Sequence, residues 1–164
     1  MASKTDFTPE EWGQIRKSLL MASVAVVAAS PSGPVGVVKE MFAVGKLIAE
    51  TKAHPGSNGL VDAVLADITS KDGIEQAKPT ELKGMSAEQA RTHAVDALRT
   101  VASLVDQKAP GDAQAFKQWL QQVALRVANA AKEGGFLGVG GTLVSDDERA
   151  ALHDTAAALG VPAT

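Results

Sequence analysis

Cysteine and tyrosine are both missing from this chain, and aromatic residues make up only 4% of it. Without cysteine there is no disulfide framework, thiolate zinc site, iron–sulfur cluster or cysteine nucleophile. An excess of positive charge is missing too. Sixteen Lys and Arg stand against nineteen Asp and Glu, a formal charge of −3, which is the wrong sign for the electrostatic footprint of a typical nucleic-acid binder. The longest apolar run, Leu19 to Ala29 with Ser23 inside it, falls short of the roughly 20 residues a membrane span needs. Met1 to Phe7 carries one lysine and no apolar run, so it does not read as a secretory signal, and a cytoplasmic location is the expectation. The absence of cysteine is compatible with a reducing or an oxidising compartment and adds little to that.

What the chain has in quantity is alanine, at 29 of 164 positions, together with helix start and stop signals. β-Branched residues seldom alternate with polar ones, so the reading is all-α: a single-domain bundle of about six helices with a glycine-rich loop before the last. Thr8, Pro9 and Glu11 combine a hydroxyl cap, a proline suited to the first turn and an acid three residues after the cap. The helix they open runs to about Ala29. Its first half is amphipathic through Trp12, Ile15 and Leu19, and its second half is apolar on nearly every side, as expected of a central helix.

Ser30-Pro31-Ser32-Gly33-Pro34 stops this helix and starts another, expected over about Pro34 to Lys52, with Val38, Met41, Phe42, Gly45 and Ile48 on one face. Gly45 there suggests close approach of a second backbone. His54-Pro55-Gly56 breaks the chain, and Asn58 caps a helix to about Ser70 with an apolar stripe of Leu60, Val61, Val64, Leu65 and Ile68. Lys71 to Met85 lacks periodicity and reads as a mobile surface connection between helical halves of about 8–70 and 86–160. Neither half is large enough to be a comfortable domain alone, so one domain over 1–164 is expected.

Ser86 with Gln89 opens the next helix, whose stripe is Ala90, Ala94, Leu98, Val101 and Val105. Ala109-Pro110-Gly111 ends it, and Asp112 is the expected cap of a helix that turns Phe116, Trp119, Leu120, Val123 and Val127 inward, with Lys132 in its last turn. Ser145 with Glu148 starts a last short helix carrying Leu152, Ala156 and Leu159 before Gly160 and Pro162.

The most distinctive segment is Gly134 to Gly141, with five glycines in eight residues. It is no P-loop, because no Gly-Lys-Ser/Thr follows, and no dinucleotide fingerprint, because a helix rather than a strand precedes it. Two readings stand: Phe136, Leu137 and Val139 plug an apolar gap while the glycines bend the chain, or the loop clamps a ligand. Candidate binding residues are therefore Gly135, Phe136, Leu137, Gly138, Gly140 and Gly141, joined by Ser32 and Gly33 at a helix N-terminus, where the dipole favours anions.

No catalytic set emerges. His54, His93 and His153 lack metal-ligand spacing, and neither Glu-x-x-His nor His-Glu-x-x-His occurs. Surface or cap positions are expected for all three. Glu40, Asp62 and Asp67 can all face outward on a helical wheel. Asp67 to Glu81 fails as a calcium loop because Gly73 stands at the seventh place, with Thr69 and Lys71 at the third and fifth. There is no Gly-x-Ser-x-Gly elbow, and a hydrolase or transferase using Asp62, His93 and His153 requires those side chains to converge in one pocket. Trp12 and Trp119 fall on core stripes, which favours packing over base stacking.

Phe7-Thr8-Pro9-Glu10-Glu11-Trp12, Ala28-Ala29-Ser30-Pro31-Ser32-Gly33-Pro34 and Lys132-Glu133-Gly134-Gly135-Phe136-Leu137-Gly138-Val139-Gly140-Gly141 together resemble a family of uncharacterised bacterial all-helical proteins, a resemblance that implies a fold and no activity. Val144-Ser145-Asp146-Asp147-Glu148, with Leu152 and Leu159-Gly160, is similar to helices of tellurite-resistance TerB-like domains, which implies a link to stress and metal ions. The Asp-Gly turn of those domains is replaced here by Ser30-Pro31-Ser32-Gly33-Pro34, so no residue is assigned as a metal ligand. The functional expectation is a non-enzymatic cytoplasmic protein acting through a protein partner or self-association, with an exposed apolar patch around Phe136, Leu137 and Val139. The alternative is a carrier of a small apolar ligand or cofactor, bound between helices and the glycine-rich loop. Room for it would come from small core residues such as Ala22, Ala25, Gly45, Ala94 and Ala128.

Overall fold

Three hydroxyl residues set the starts of three helices. The Thr8, Ser86 and Ser145 side chains each accept from the amide three residues on, at 3.2 Å, and Glu11, Gln89 and Glu148 each return a hydrogen bond to the amide of the capping residue, at 2.8–2.9 Å. The computed structural model describes residues 2–29, 44–53, 58–76, 80–132 and 145–163. Among these there are helices and no strand. We number them α1 (Pro9–Val27), α2 (the helical residues 44–53), α3 (Gly59–Ile68), α4 (Lys71–Gln76), α5 (Ala87–Lys108), α6 (Pro110–Lys132) and α7 (Asp146–Leu159). Two 3-10 turns, Lys4–Asp6 and Thr80–Leu82, lie ahead of α1 and α5. The all-α bundle expected from the sequence is the fold observed.

Helix α1 is central, as its apolar second half suggests: α3, α5, α6 and α7 all touch it. Ile15, Ala22 and Ala25 are fully buried on it, and one apolar cluster continues through Leu60, Val64, Leu98, Phe116, Leu120, Val123 and Leu159 on the surrounding helices. Both halves of the chain feed this single core. The stripes read from α3, α6 and α7 are buried as expected; on α5 Ala94, Leu98, Val101 and Val105 are buried with Ala102, whereas Ala90, in the first turn, is only half-buried. Gly160 ends α7 in the left-handed conformation at φ 66°, with the amide of Val161 reaching back to the Ala156 carbonyl at 3.0 Å.

Three expectations need correction. Asp112 does not cap α6, which begins at Pro110, where the fixed φ of proline is already helical. The carbonyl of Ala109 accepts from the amides of both Asp112 and Ala113, so a single residue separates α5 from α6. Asp112 instead ties in other segments: its carboxylate accepts from the Ala2 amide, and its carbonyl accepts from Asn58 Nδ2 at 2.9 Å. Gly45 is exposed, with nothing within 4 Å of where its Cβ would lie, so the described residues show no backbone approaching it. Val44 and Leu47 carry the buried face of α2 in its place. Lys71 to Met85, finally, is not featureless, since it contains α4 and the second 3-10 turn.

The α3–α4 corner explains Gly73. The Ser70 hydroxyl donates to the Asp67 carbonyl at 2.6 Å and accepts from the Gly73 amide at 3.0 Å, drawing the chain so tight that a Cβ on Gly73 would lie 1.8 Å from that carbonyl oxygen. Backbone must move to admit any side chain. Gly73→Ala is therefore expected to destabilise the protein by about 1–3 kcal/mol, the usual range for forced overpacking, despite the gain in helix propensity. Urea unfolding of the variant beside the parent checks this; an unchanged or higher midpoint would contradict the tight corner.

Candidate functional site

Trp12 and Arg16 are one turn apart on α1 and so share a face. Both reach the same oxygen at the end of α3: Trp12 Nε1 donates to Asp67 Oδ2 at 2.9 Å and Arg16 Nη1 at 3.0 Å, while Lys4 Nζ donates to Oδ1 at 3.1 Å. Asp67 thus turns toward α1 rather than outward, because burying Trp12 and Arg16 requires an acceptor for their N–H groups. The Arg16 side chain is only 10% exposed, and its Nε is buried with no partner among the described residues.

The next stripe of α1 borders open space. Glu10, Gly13, Gln14, Lys17 and Met21 on α1 face His93, Ala97, Thr100 and Val101 on α5, and Gln76, Thr80 and Glu81 wall the third side, around a groove of about 890 Å³. Spacings of three and four on α1 and α5 make two opposed helical stripes. The helices run antiparallel here, since Lys108 near the end of α5 donates to Glu11 at the start of α1 at 2.6 Å. Ala97 is the half-buried apolar residue of this lining, Met21 and Val101 are buried behind it, and charged, hydroxyl and amide groups supply the rest. No described atom lies within 4 Å of the place a Gly13 Cβ would occupy, so this interior helical glycine leaves the groove wide. Arg16 and Gln76 also line a smaller pocket of about 240 Å³ with Lys4, Phe7, Pro9 and Trp12, which puts Arg16 between the two spaces.

Lys17 Nζ donates to both Glu81 oxygens, at 3.1 and 3.2 Å, across the groove wall. Burial pushes the Glu81 carboxyl up, but a backbone hydrogen bond, the Lys17 hydrogen bond and charge, and the charge of His93 outweigh it and hold the group below the ordinary Glu value. Asp67 follows the same pattern. Burial raises it, and the hydrogen bonds from Trp12, Lys4 and Arg16 with the Lys4 charge bring it below the ordinary Asp value.

Among the sequence candidates, His93 lines the groove in a half-buried position, whereas Asp62 and His153 do not, so the three do not gather in this groove. His153 is exposed on α7. Ser32, Gly33, Gly135, Phe136, Leu137, Gly138, Gly140 and Gly141 lie outside the described residues, as do Val139, Glu40 and His54. Ala22, Ala25, Ala94 and Ala128 are fully buried in close helix packing and leave no room there. The space lies instead beside Gly13 and Ala97. The sequence signal that marks it is a glycine inside α1, far from either cap, between Glu10, Gln14 and Lys17.

Among the described residues no three His, Asp or Glu side chains gather as metal ligands, and no helix is long and apolar enough to cross a membrane. No family model, curated protein or solved structure matches this chain.

The Asp67 joint makes a pH-dependent contribution to stability. Its folded-state value lies below that of a free carboxyl, so the contribution is complete above about pH 4 and is lost as the pH falls through the lowered value. Asp67→Asn is expected to remove about 2–4 kcal/mol at pH 7, as the loss of one partner from a largely buried pair does, and to flatten the fall in stability below about pH 4. Urea midpoints between pH 7 and 2 measure both effects, and parallel pH curves for parent and variant would rule the joint out as the source.

Proposed function

We propose that the protein binds a small molecule with a substantial apolar part in the α1–α5 groove and works as a carrier or sensor of it rather than as a catalyst. The observation that carries this reading is the groove itself, whose volume of about 890 Å³ falls within the roughly 300–1,000 Å³ of ligand clefts. Its composition fits as well: Ala97 offers apolar contact with Met21 and Val101 buried beneath it, and polar groups at the edge can fix orientation. Gly13 adds weight, because glycine in a helix interior costs about 0.5–1 kcal/mol relative to alanine and here borders the open space. This is the between-helices carrier reading of the sequence with a different lining. The alternative, association through Phe136, Leu137 and Val139, rests on residues outside those described; among the described ones, Met85 is the exposed large hydrophobe, at 37%.

The neutral fluorophore N-phenyl-1-naphthylamine is expected to bind the full-length protein with a blue-shifted, enhanced emission. Gly13→Ala should raise stability by about 0.5–1 kcal/mol, and Gly13→Leu should abolish dye binding while keeping the protein at least as stable as the parent. Undiminished dye binding by a folded Gly13→Leu protein would refute the groove as the site.

A further inference from the structure

The groove already holds an acid, and that acid belongs to the chain. Glu81 stands on the 3-10 turn Thr80–Leu82, whose backbone bonds are local: Lys83 to Thr80 and Met85 to Leu82. Among the described residues, this turn is held to the bundle by the partial packing of Leu82 on the core and by Lys17, which donates to both carboxylate oxygens of Glu81. His93, on the facing helix, lines the same groove. Lys17 is therefore the cation at this edge of the groove, with His93 on the facing helix and Glu10 as the other acid among the described lining residues.

Building on the binding reading above, we propose that Glu81 stands in for the acid group of the ligand, and that the groove takes a monocarboxylate with an apolar body, which displaces Glu81 from Lys17. The ammonium group of Lys17 is presented to two oxygens of one planar group, the geometry a carboxylic acid would reproduce. The apolar body lies over Ala97, the half-buried apolar residue of the lining, with Met21 and Val101 closed beneath it. The pair is half-exposed, with 31% and 29% of the two side chains accessible, so it is weak enough to be exchanged for an intermolecular one. Displacement frees the Thr80–Leu82 turn on one side, which makes occupancy of the groove visible on the surface of the protein.

Decanoate and decanol, of equal chain length and different head, separate the possibilities when each is titrated against N-phenyl-1-naphthylamine bound to the full-length protein. Glu81→Gln keeps the shape of the side chain and removes the competing charge. It should tighten decanoate by about fivefold, the equivalent of a half-exposed ion pair, and leave decanol within about twofold. Lys17→Met keeps the apolar stem and should weaken decanoate by about fivefold or more without changing decanol. Equal gains for both probes in Glu81→Gln would mean that Glu81 merely obstructs the groove, and would overturn the proposal. So would a decanoate affinity indifferent to both substitutions. If the dye binds and neither protein form releases it to decanoate, the carboxylate assignment fails and the groove stands. If the dye itself does not bind, both fail.

Discussion

A single carboxylate holds the first half of the bundle in register. Asp67 accepts from an indole, a guanidinium and an ammonium group that come from three turns of chain, and in doing so it fixes the end of α3 against the start of α1. Lys4 is an exposed cation, but Trp12 and Arg16 are not surface groups. Trp12 is 2% exposed, and an indole N–H at that depth needs an acceptor, so the carboxylate is set by the burial of the ring as much as by charge. Arg16 follows from the same constraint: its Nη1 is committed to Asp67, and its largely buried side chain borders both the groove and the smaller pocket. The groove between α1 and α5 thus has one fixed wall, and the corner at Gly73 hangs from the same Asp67 backbone.

Much of this architecture was legible in the sequence where local chemistry dictates it. The three capping boxes, the Asn58 cap, the glycine stop at Gly160 and the stripes of α3, α6 and α7 depend on residues three or four apart, and they came out as read. Asp112 was misplaced because two start signals compete within three residues and the fixed φ of Pro110 acts first. Helical-wheel spacing allows Asp67 to face outward, and it does not, because its partners lie more than fifty residues away, a distance on which no spacing rule reports. The groove was missed for a related reason. A polar stripe on α1 looks solvated until α5 and the Thr80–Leu82 turn are placed opposite it.

The space beside Gly13 also shows a balance between stability and openness. Close packing removes every gap at Ala22, Ala25 and Ala94, where small side chains let helices meet, yet the same helix α1 carries a glycine where nothing meets it. Small residues therefore have opposite meanings on two faces of one helix. On the inner face they allow contact, and on the groove face their smallness keeps surfaces apart. Composition alone cannot separate the two uses, which is why the alanine-rich helices suggested room in the wrong place.

The single-residue joint at Ala109 shapes how the chain can assemble. Closing a loop costs entropy that grows with its length, and between α5 and α6 there is almost no loop to close. Lys117 then reaches back to both oxygens of Asp106 at 2.7 and 2.9 Å, pinning the two helices within one short stretch of sequence. Contacts of α1 with α5, α6 and α7 join segments far apart in the chain and carry a much larger closure penalty. The helix pair around Ala109 therefore closes at a lower entropic cost than the contacts of α1 with α5, α6 and α7. It offers a preformed template onto which the amino-terminal helix from one direction and the carboxy-terminal helix from the other can dock.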